Sequence, residues 1–394
     1  MSLLFEPGYI GKMKVKNRFV RTAAGDGWCT ENGECTPELV KYYAELADGG
    51  VGLITTGATY VLEKYKVGRF IGMYDDKLVD GFKKLTKAVH DYDSKIICQI
   101  FLPGRANFFA EFGPSPVPLY LTGAPCREIS EEEINQFIDA FGKAALRCKE
   151  AGFDGIQFHA AHGYLFHSFL SPKDNLRKDK WGGSFENNMR FLLESYAACR
   201  KTVGKDYPIT IKVSVQDYLE GGINFDLGQR YAAKMSEVGF DAIETSAGVN
   251  TDRPYFYMAK GDLPGNMVIF GKDKEQTRQI FRGIKNFEED IKFKESYFRP
   301  FAKEIKKVVK MPVILPGGNR TVSIMEDILK SGDADFIGLC RPLIREPDFP
   351  NKVKKWGYEK AGCLNCNRCF TSGKGPMEPN RCYQLLFRPD RLQL

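Results

Sequence analysis

One feature limits the fold of this chain more than any other: a two-beat alternation repeated along most of its length. Short runs rich in β-branched residues take turns with longer amphipathic stretches. The runs fall at 19–24 (FVRTAA), 52–58 (GLITTGA), 95–101 (KIICQIF), 154–159 (DGIQFH), 209–215 (ITIKVSV), 241–246 (DAIETS), 312–316 (PVILP) and 335–339 (DFIGL). Helical patterns between them include PELVKYYAELADGG, SEEEINQFIDAFGKAALRCKEAG and FDLGQRYAAKMSEVG. The second opens on Ser130 and Glu133, a capping box. The first and third end near glycine, a usual helix stop. Strand–helix alternation implies parallel strands covered by helices. Eight such units predict a TIM (β/α)8 barrel. The competing doubly wound sheet lacks its mark, because no G-x-G-x-x-G follows the first strand.

The chain of 394 residues can bury a large core. The reading is a barrel over 1–357 followed by a cysteine-bearing segment over 358–394. No apolar run approaches the roughly 20 residues that span a bilayer. The start, MSLLFEPGYIGKMKVKNRF, has no signal-peptide apolar region. A cytoplasmic location is therefore expected, where thiols stay reduced, which disfavours disulfides among the eleven cysteines. The net charge of +7 is modest for this size, and the lysines are spread along helices rather than massed. No nucleic-acid face is supported; attraction of anionic ligands such as phosphates or acyl-CoA is the milder reading.

Two stretches break the repeat. Residues 102–129, rich in Pro and Gly, follow the third strand, and the charged, aromatic 248–297 follow the sixth. Both emerge at the C-terminal face of a barrel, where active sites lie, and loops this long are expected as lids or binding loops. The alternative is decoration supporting a homo-oligomer contact. The run DRPYFYMAKGDLPGNMVIF fits either role, as a wide apolar pocket wall or as a subunit contact.

The densest signal is FDGIQFHAAHGYLFHSFLSPKDNLRKDKWGGSFENNMRFLLE, residues 153–194. It holds three of the four histidines, His159, His162 and His167, together with Tyr164. A lone histidine is usually a satisfied core-edge residue. A cluster at a strand's C-terminal end in a barrel points to chemistry. Neutral imidazoles donate hydrogen bonds to a substrate oxygen, and a tyrosine hydroxyl delivers a proton. A zinc site on His159 and His162 lacks an evident third ligand.

This segment resembles the Old Yellow Enzyme family, whose pattern H-x-x-H/N-G-Y-L…F-L-S-P-x-x-N-x-R-x-D-x-Y-G-G-S-x-E-N-R-x-R-F runs through it nearly unbroken. Trp181 stands where that family usually has Tyr, and Asn188 where it has Arg. GKMKVKNRFV, QIFLPGR, ILPGGNRT and DFIGLCRPLIREPDFPNKV extend the resemblance along the chain. It implies FMN as cofactor. Gly317 and Gly318 after the seventh strand, with Gly338 and Arg341 at the eighth, match the phosphate end, where glycines admit backbone amides and Arg341 offers a bidentate fork. Gln99 matches the glutamine at the flavin ring edge. Lys212 matches the arginine near flavin N1/O2; it keeps the charge without the planar fork. Ala23, Ala24, Gly57 and Ala58 match other flavin-lining positions. Three departures concern the substrate and tuning side: Leu102 for a histidine, Gly25 for a tuning side chain, and Asn250 loosely aligned with a histidine of dienoyl-CoA reductases.

Near the end, CLNCNRCFTSGKGPMEPNRC places Cys363, Cys366, Cys369 and Cys382 at C-x2-C-x2-C-x12-C. A tight triplet with a fourth thiol from a loop suits an iron–sulfur centre, whereas zinc ribbons favour two separated C-x2-C knuckles. The spacing resembles the 4Fe-4S segment of 2,4-dienoyl-CoA reductase, 2-enoate reductase and trimethylamine dehydrogenase, all barrels of the same family. Twelve residues follow Cys382, and no dinucleotide fingerprint appears. The resemblance therefore implies an ene-reductase acting on a small unsaturated substrate. Its electrons come from a ferredoxin or flavoprotein partner through the cluster, or from NAD(P)H docking at the flavin. An amine dehydrogenase or a non-catalytic electron-transfer subunit is the alternative.

Overall fold

The computed structural model describes residues 2–66, 68–106, 112–119, 123–249, 292–367, 369 and 379–386. Eight parallel strands form the barrel: β1 (Phe19–Arg21), β2 (Leu53–Tyr60), β3 (Lys95–Phe101), β4 (Gly155–Ala160), β5 (Ile209–Ser214), β6 (Ile243–Ser246), β7 (Val313–Leu315) and β8 (Phe336–Leu339). Each pairs with the next, and β8 pairs back onto β1 through Ile337 opposite Phe19, which closes the sheet. The fold is the TIM barrel that the alternation predicts.

The helices follow the strands in turn. They are α1 (Pro37–Asp48), α2 (Val79–His90), α3 (Glu131–Glu150), α4 (Leu165–Leu170), α5 (Phe185–Val203), α6 (Phe225–Val238), α7 (Arg299–Val308), α8 (Val322–Lys330), α9 (Arg341–Arg345), α10 (Phe349–Trp356) and α11 (Tyr383–Leu386). Local chemistry sets their ends. The α3 box forms as read: Glu133 N donates to Ser130 Oγ at 3.2 Å, and Ser130 N to Glu133 Oε2 at 3.0 Å. The Arg127 guanidinium grips the same carboxylate and holds its pKa down to about 2. At the end of α6, Gly239 turns left-handed at φ +103°.

A hairpin, Gly8–Ile10 with Met13–Val15, closes the N-terminal end of the barrel. Ile10, Met13 and Val15 pack there with Val20, Leu53, Ile97, Ala242, Ile314 and Phe336. The larger apolar core lies between strands and helices, with Leu46, Phe82, Phe141, Phe158 and Phe191 all buried. The C-terminal end of the barrel is left to polar groups.

Several boundaries differ from the sequence reading. β1 stops at Arg21, so Ala23 and Ala24 sit on the following loop. β2 runs on to Tyr60 with an irregularity between Thr55 and Ala58, which places Gly57 at the bulge. Of the stretch 102–129, the described part is tied down by Arg105, whose buried guanidinium pairs with buried Asp174 and donates to Pro118 O at 2.8 Å. The lid or contact expected over 248–297, including the aromatic run and Asn250, falls mostly on residues 250–291, outside the described residues.

Gly338 has a packing reason to be glycine. A Cβ there would stand 2.6 Å from Thr22 Cγ2 and 3.0 Å from Pro316 Cα. Gly338→Ala is expected to cost about 1–3 kcal/mol by forcing neighbouring barrel strands apart. A urea melt should show a lower midpoint with an unchanged slope.

Candidate active site

A chain of buried polar side chains crosses the barrel interior. Gln99 Nε2 on β3 donates to Gln157 Oε1 on β4 at 2.7 Å. Gln157 Nε2 donates to Glu244 Oε2 on β6 at 3.2 Å. Lys212 Nζ on β5 stands 3.0 Å from the other Glu244 oxygen. Glu244 is wholly buried, and a carboxylate so placed needs a cation, which Lys212 supplies. The sequence reading named Gln99 and Lys212 but missed Gln157 and Glu244. The signal was alternation, because Gln157 sits two residues before His159 and so shares its face of the strand.

At the end of β4 the chain turns through His162 in the left-handed region, φ +66°. That turn is pinned on both sides. His162 N donates to Ser214 Oγ at 3.1 Å, and its Nε2 meets Ser246 Oγ at 2.7 Å. The ring of His159 lies edge-on to His162 at 5.2 Å and to Tyr164 at 4.5 Å, and Phe101 backs Tyr164 at 5.2 Å. Burial, reinforced by the Lys212 charge, pushes both imidazoles well below their usual pKa, so both are neutral at physiological pH. Among the described residues, buried His159 Nδ1 has no hydrogen-bond partner. Tyr164 is half-buried at the entry to α4. The structure thus brings His159, His162 and Tyr164 together and separates His167, which is buried 3.1 Å from Asp217 Oδ1.

Most of the long 153–194 motif is scaffold. Asn175 Nδ2 donates to Phe169 O and Trp181 O at 2.9 and 2.8 Å. Arg177 Nη1 donates to Ile129 O at 2.8 Å. Both departures, Trp181 and Asn188, are buried in this scaffold.

The remaining positions ring the same barrel end. Gly57 N donates to Tyr43 Oη at 2.9 Å, and that hydroxyl donates to Asp26 Oδ2 at 2.7 Å. Burial holds the Asp26 carboxyl above its usual range. The loop bearing Ala23 and Ala24 is thereby fastened over β2 and Ala58. After β7, Gly317 and Gly318 both turn left-handed, at φ +100° and +82°. Asn319 Nδ2 staples the turn to Leu315 O and Gly338 O at 2.8 and 3.0 Å. A lysine on the barrel wall, a buried imidazole nitrogen and a glycine turn after β7 would suit a flat anionic cofactor such as FMN.

The cysteine segment is docked beside this ring. Asn380 N donates to Asp26 O at 2.8 Å and its Nδ2 to Gly25 O at 3.1 Å, joining the segment to the first loop. Arg341 Nη1 donates to Asn367 Oδ1 at 2.6 Å. Cys363, Cys366, Cys369 and Cys382 line a single cavity with Arg341, Arg345 and Gln384. Burial pushes the Cys363 and Cys369 thiols up. Among the described residues no group of three or more His, Cys, Asp or Glu side chains is poised to hold a metal ion. A cubane cluster asks for something different, because each thiolate binds its own iron and the sulfurs stand around a space. Four thiols lining one cavity fit that requirement.

A closed parallel barrel with its polar groups gathered at the C-terminal strand ends is a barrel enzyme by layout. Residues 3–263 and 282–359 match the NADH:flavin oxidoreductase / NADH oxidase family, and the chain belongs to it. It is 35% identical over 375 residues to the NADH oxidase of Thermoanaerobacter brockii, covering 92% of this chain and 52% of that protein. It is 30% identical over 379 residues to the cinnamate reductase of Clostridium sporogenes, covering 92% and 54%. The chain spans about half the length of these curated relatives. The Old Yellow Enzyme homologue of Zymomonas mobilis superposes with a TM-score of 0.71 at 25% identity, over 92% of this chain and 95% of that one. The matched residues thus form a barrel of that flavin oxidoreductase family. No helix among the described residues is long and apolar enough to cross a membrane.

The histidine pair has a measurable consequence. Both side chains refuse protons in the folded state that they accept near 6.5 when unfolded. Stability is therefore complete above that pH and falls as the medium is acidified through it, by up to about 1.4 kcal/mol per pH unit for each imidazole. Urea midpoints measured downward from neutral pH should trace this decline. His162→Gln should make the decline shallower.

Proposed function

We propose that the protein is an FMN- and 4Fe-4S-containing ene-reductase that adds hydrogen across an activated C=C bond of an enone, enoate or enoyl-CoA. The carrying observation is the trio of two neutral imidazoles and one tyrosine at the barrel mouth, 4.5 to 5.2 Å between neighbouring rings. When bound, FMN supplies a hydride donor there and the cluster supplies single electrons.

The chain's own residues do the rest. His159 and His162, being neutral, donate hydrogen bonds to the substrate carbonyl and draw electron density from the alkene. Ser246 orients His162 from behind. Tyr164 would deliver the proton to the α-carbon, and a bound flavin would supply the hydride for the β-carbon, so that one hydride and one proton add across the double bond. Lys212, fixed by Glu244, presents positive charge where the reduced flavin is anionic. Ala23, Ala24, Gly57, Ala58 and Gln99 would line the flavin ring, and Gly317, Gly318 and Arg341 would hold its phosphate end, with Gly338 serving the strand packing there. Residues 1–357 act as the flavin barrel and 358–394 as the cluster segment. The donor is a ferredoxin or flavoprotein feeding the cluster, or NAD(P)H at the flavin face. Cinnamate reductase, named for an unsaturated acid, supports the substrate class.

Tyr164→Phe should slow flavin reoxidation by alkene about 10²–10⁴-fold while dithionite still reduces the flavin at the parent rate. Stopped-flow absorbance separates the two half-reactions, and equal reoxidation rates would remove Tyr164 from the acid role. Turnover of methylamines with none of enones, enoates or enoyl-CoAs would replace the ene-reductase reading with amine oxidation. Anaerobically purified protein should carry about four irons per chain, and Cys366→Ser should lose them. Stoichiometric zinc without iron would defeat the cluster.

A further inference from the structure

The short helix α9 faces the thiol cavity from both of its ends. Its first residue, Arg341, and its last, Arg345, both line that cavity. Arg345 goes further and directs Nη1 to Cys382 Sγ at 3.9 Å. Its Nε is hemmed in at Gly362, where any Cβ would stand 3.2 Å away, and Gly362 N is itself held by Glu346 Oε2 at 2.6 Å. On the opposite side Gln384 Nε2 reaches Cys366 Sγ at 3.4 Å. Two of the four sulfurs therefore carry a side-chain N–H donor from outside the cysteine triplet, and one of those donors is a permanent cation.

Resting on the cluster reading above, we propose that Arg345, assisted by Gln384, is a positioning residue that sets the reduction potential of the cluster. A cluster ligated by four thiolates is an anion and becomes more negative on taking up an electron. A nearby guanidinium and N–H···S hydrogen bonds stabilise the reduced form more than the oxidised one. The potential rises, and one-electron transfer from a low-potential carrier becomes more favourable. No bond to iron is made or broken by either side chain. Arg345 acts on Cys382, the ligand two residues beyond Asn380, and Asn380 is the residue bonded to the flavin-side loop.

The test is an anaerobic potentiometric titration of the purified holoprotein, following the reduced cluster by electron paramagnetic resonance. Arg345→Gln is expected to lower the potential by about 59 mV, a tenfold shift of the one-electron equilibrium. Arg345→Lys keeps the charge and should recover most of the loss. Gln384→Leu should lower it by a smaller amount. If Arg345→Gln does not retain iron, Gln384→Leu decides the matter, and a parent potential there would overturn the proposal. An iron-free parent protein would refute the cluster reading itself, a result distinct from a cluster whose potential ignores Arg345.

Discussion

The buried pairing of Lys212 with Glu244 is the constraint around which the site is organised. A carboxylate with no solvent contact inside a barrel carries a heavy desolvation cost unless a cation meets it. That cation comes from the adjacent strand, and Gln157 and Gln99 continue the chain of hydrogen bonds to strands farther round the sheet. Four strands are thereby locked in relative height by side chains as well as by backbone. The ammonium is held on the barrel wall, where its charge also helps to keep His159 and His162 neutral. One ion pair therefore ties neighbouring strands together, holds an ammonium on the barrel wall and adds to the burial that keeps two neighbouring imidazoles neutral.

The architecture was legible because it depends on periodicity, and periodicity is local. Each of the eight runs produced a strand, and the Ser130–Glu133 box produced the helix start it signals. Strand ends were less legible, because pairing with neighbours decides them. β1 stops at Arg21 while β2 continues past a bulge to Tyr60, and no residue pattern within either run marks the difference. Gly338 shows the limit in another form. A glycine beside a phosphate-type motif suggests close approach of a ligand, yet its Cβ space is taken by Thr22 and Pro316, which are remote in sequence.

For the site, spacing in the sequence marked His159, His162 and Tyr164, and the fold assembled them. It did not mark their supports: Ser214, Ser246 and Glu244 come from other strands and read as ordinary polar residues in isolation, and Gln157, on β4 itself, is signalled only by sharing the face of His159. The long motif also overstated its catalytic content. Asn175 ties Phe169 to Trp181 within the segment after β4, and Arg177 holds the loop after β3 against that segment, so their work is structural. The cysteine spacing marked four thiols that the fold lines along one cavity, whereas the donors aimed at the sulfurs, Arg345 and Gln384, became visible only once the tail was docked.

The docking of Asn380 onto the loop at Gly25 and Asp26 joins residues 355 positions apart. Contacts of such sequence separation form late, since the intervening chain must be largely ordered before the ends meet with modest entropic cost. During synthesis the ribosome delivers the first βα loop hundreds of residues before the segment that braces it. A nascent chain can therefore complete its hydrophobic layers while the rim that faces the flavin side still lacks one wall. Docking of the tail thus waits until the last barrel strand has been delivered, which makes the rim beside Gly25 and Asp26 the last part of the fold that can be completed.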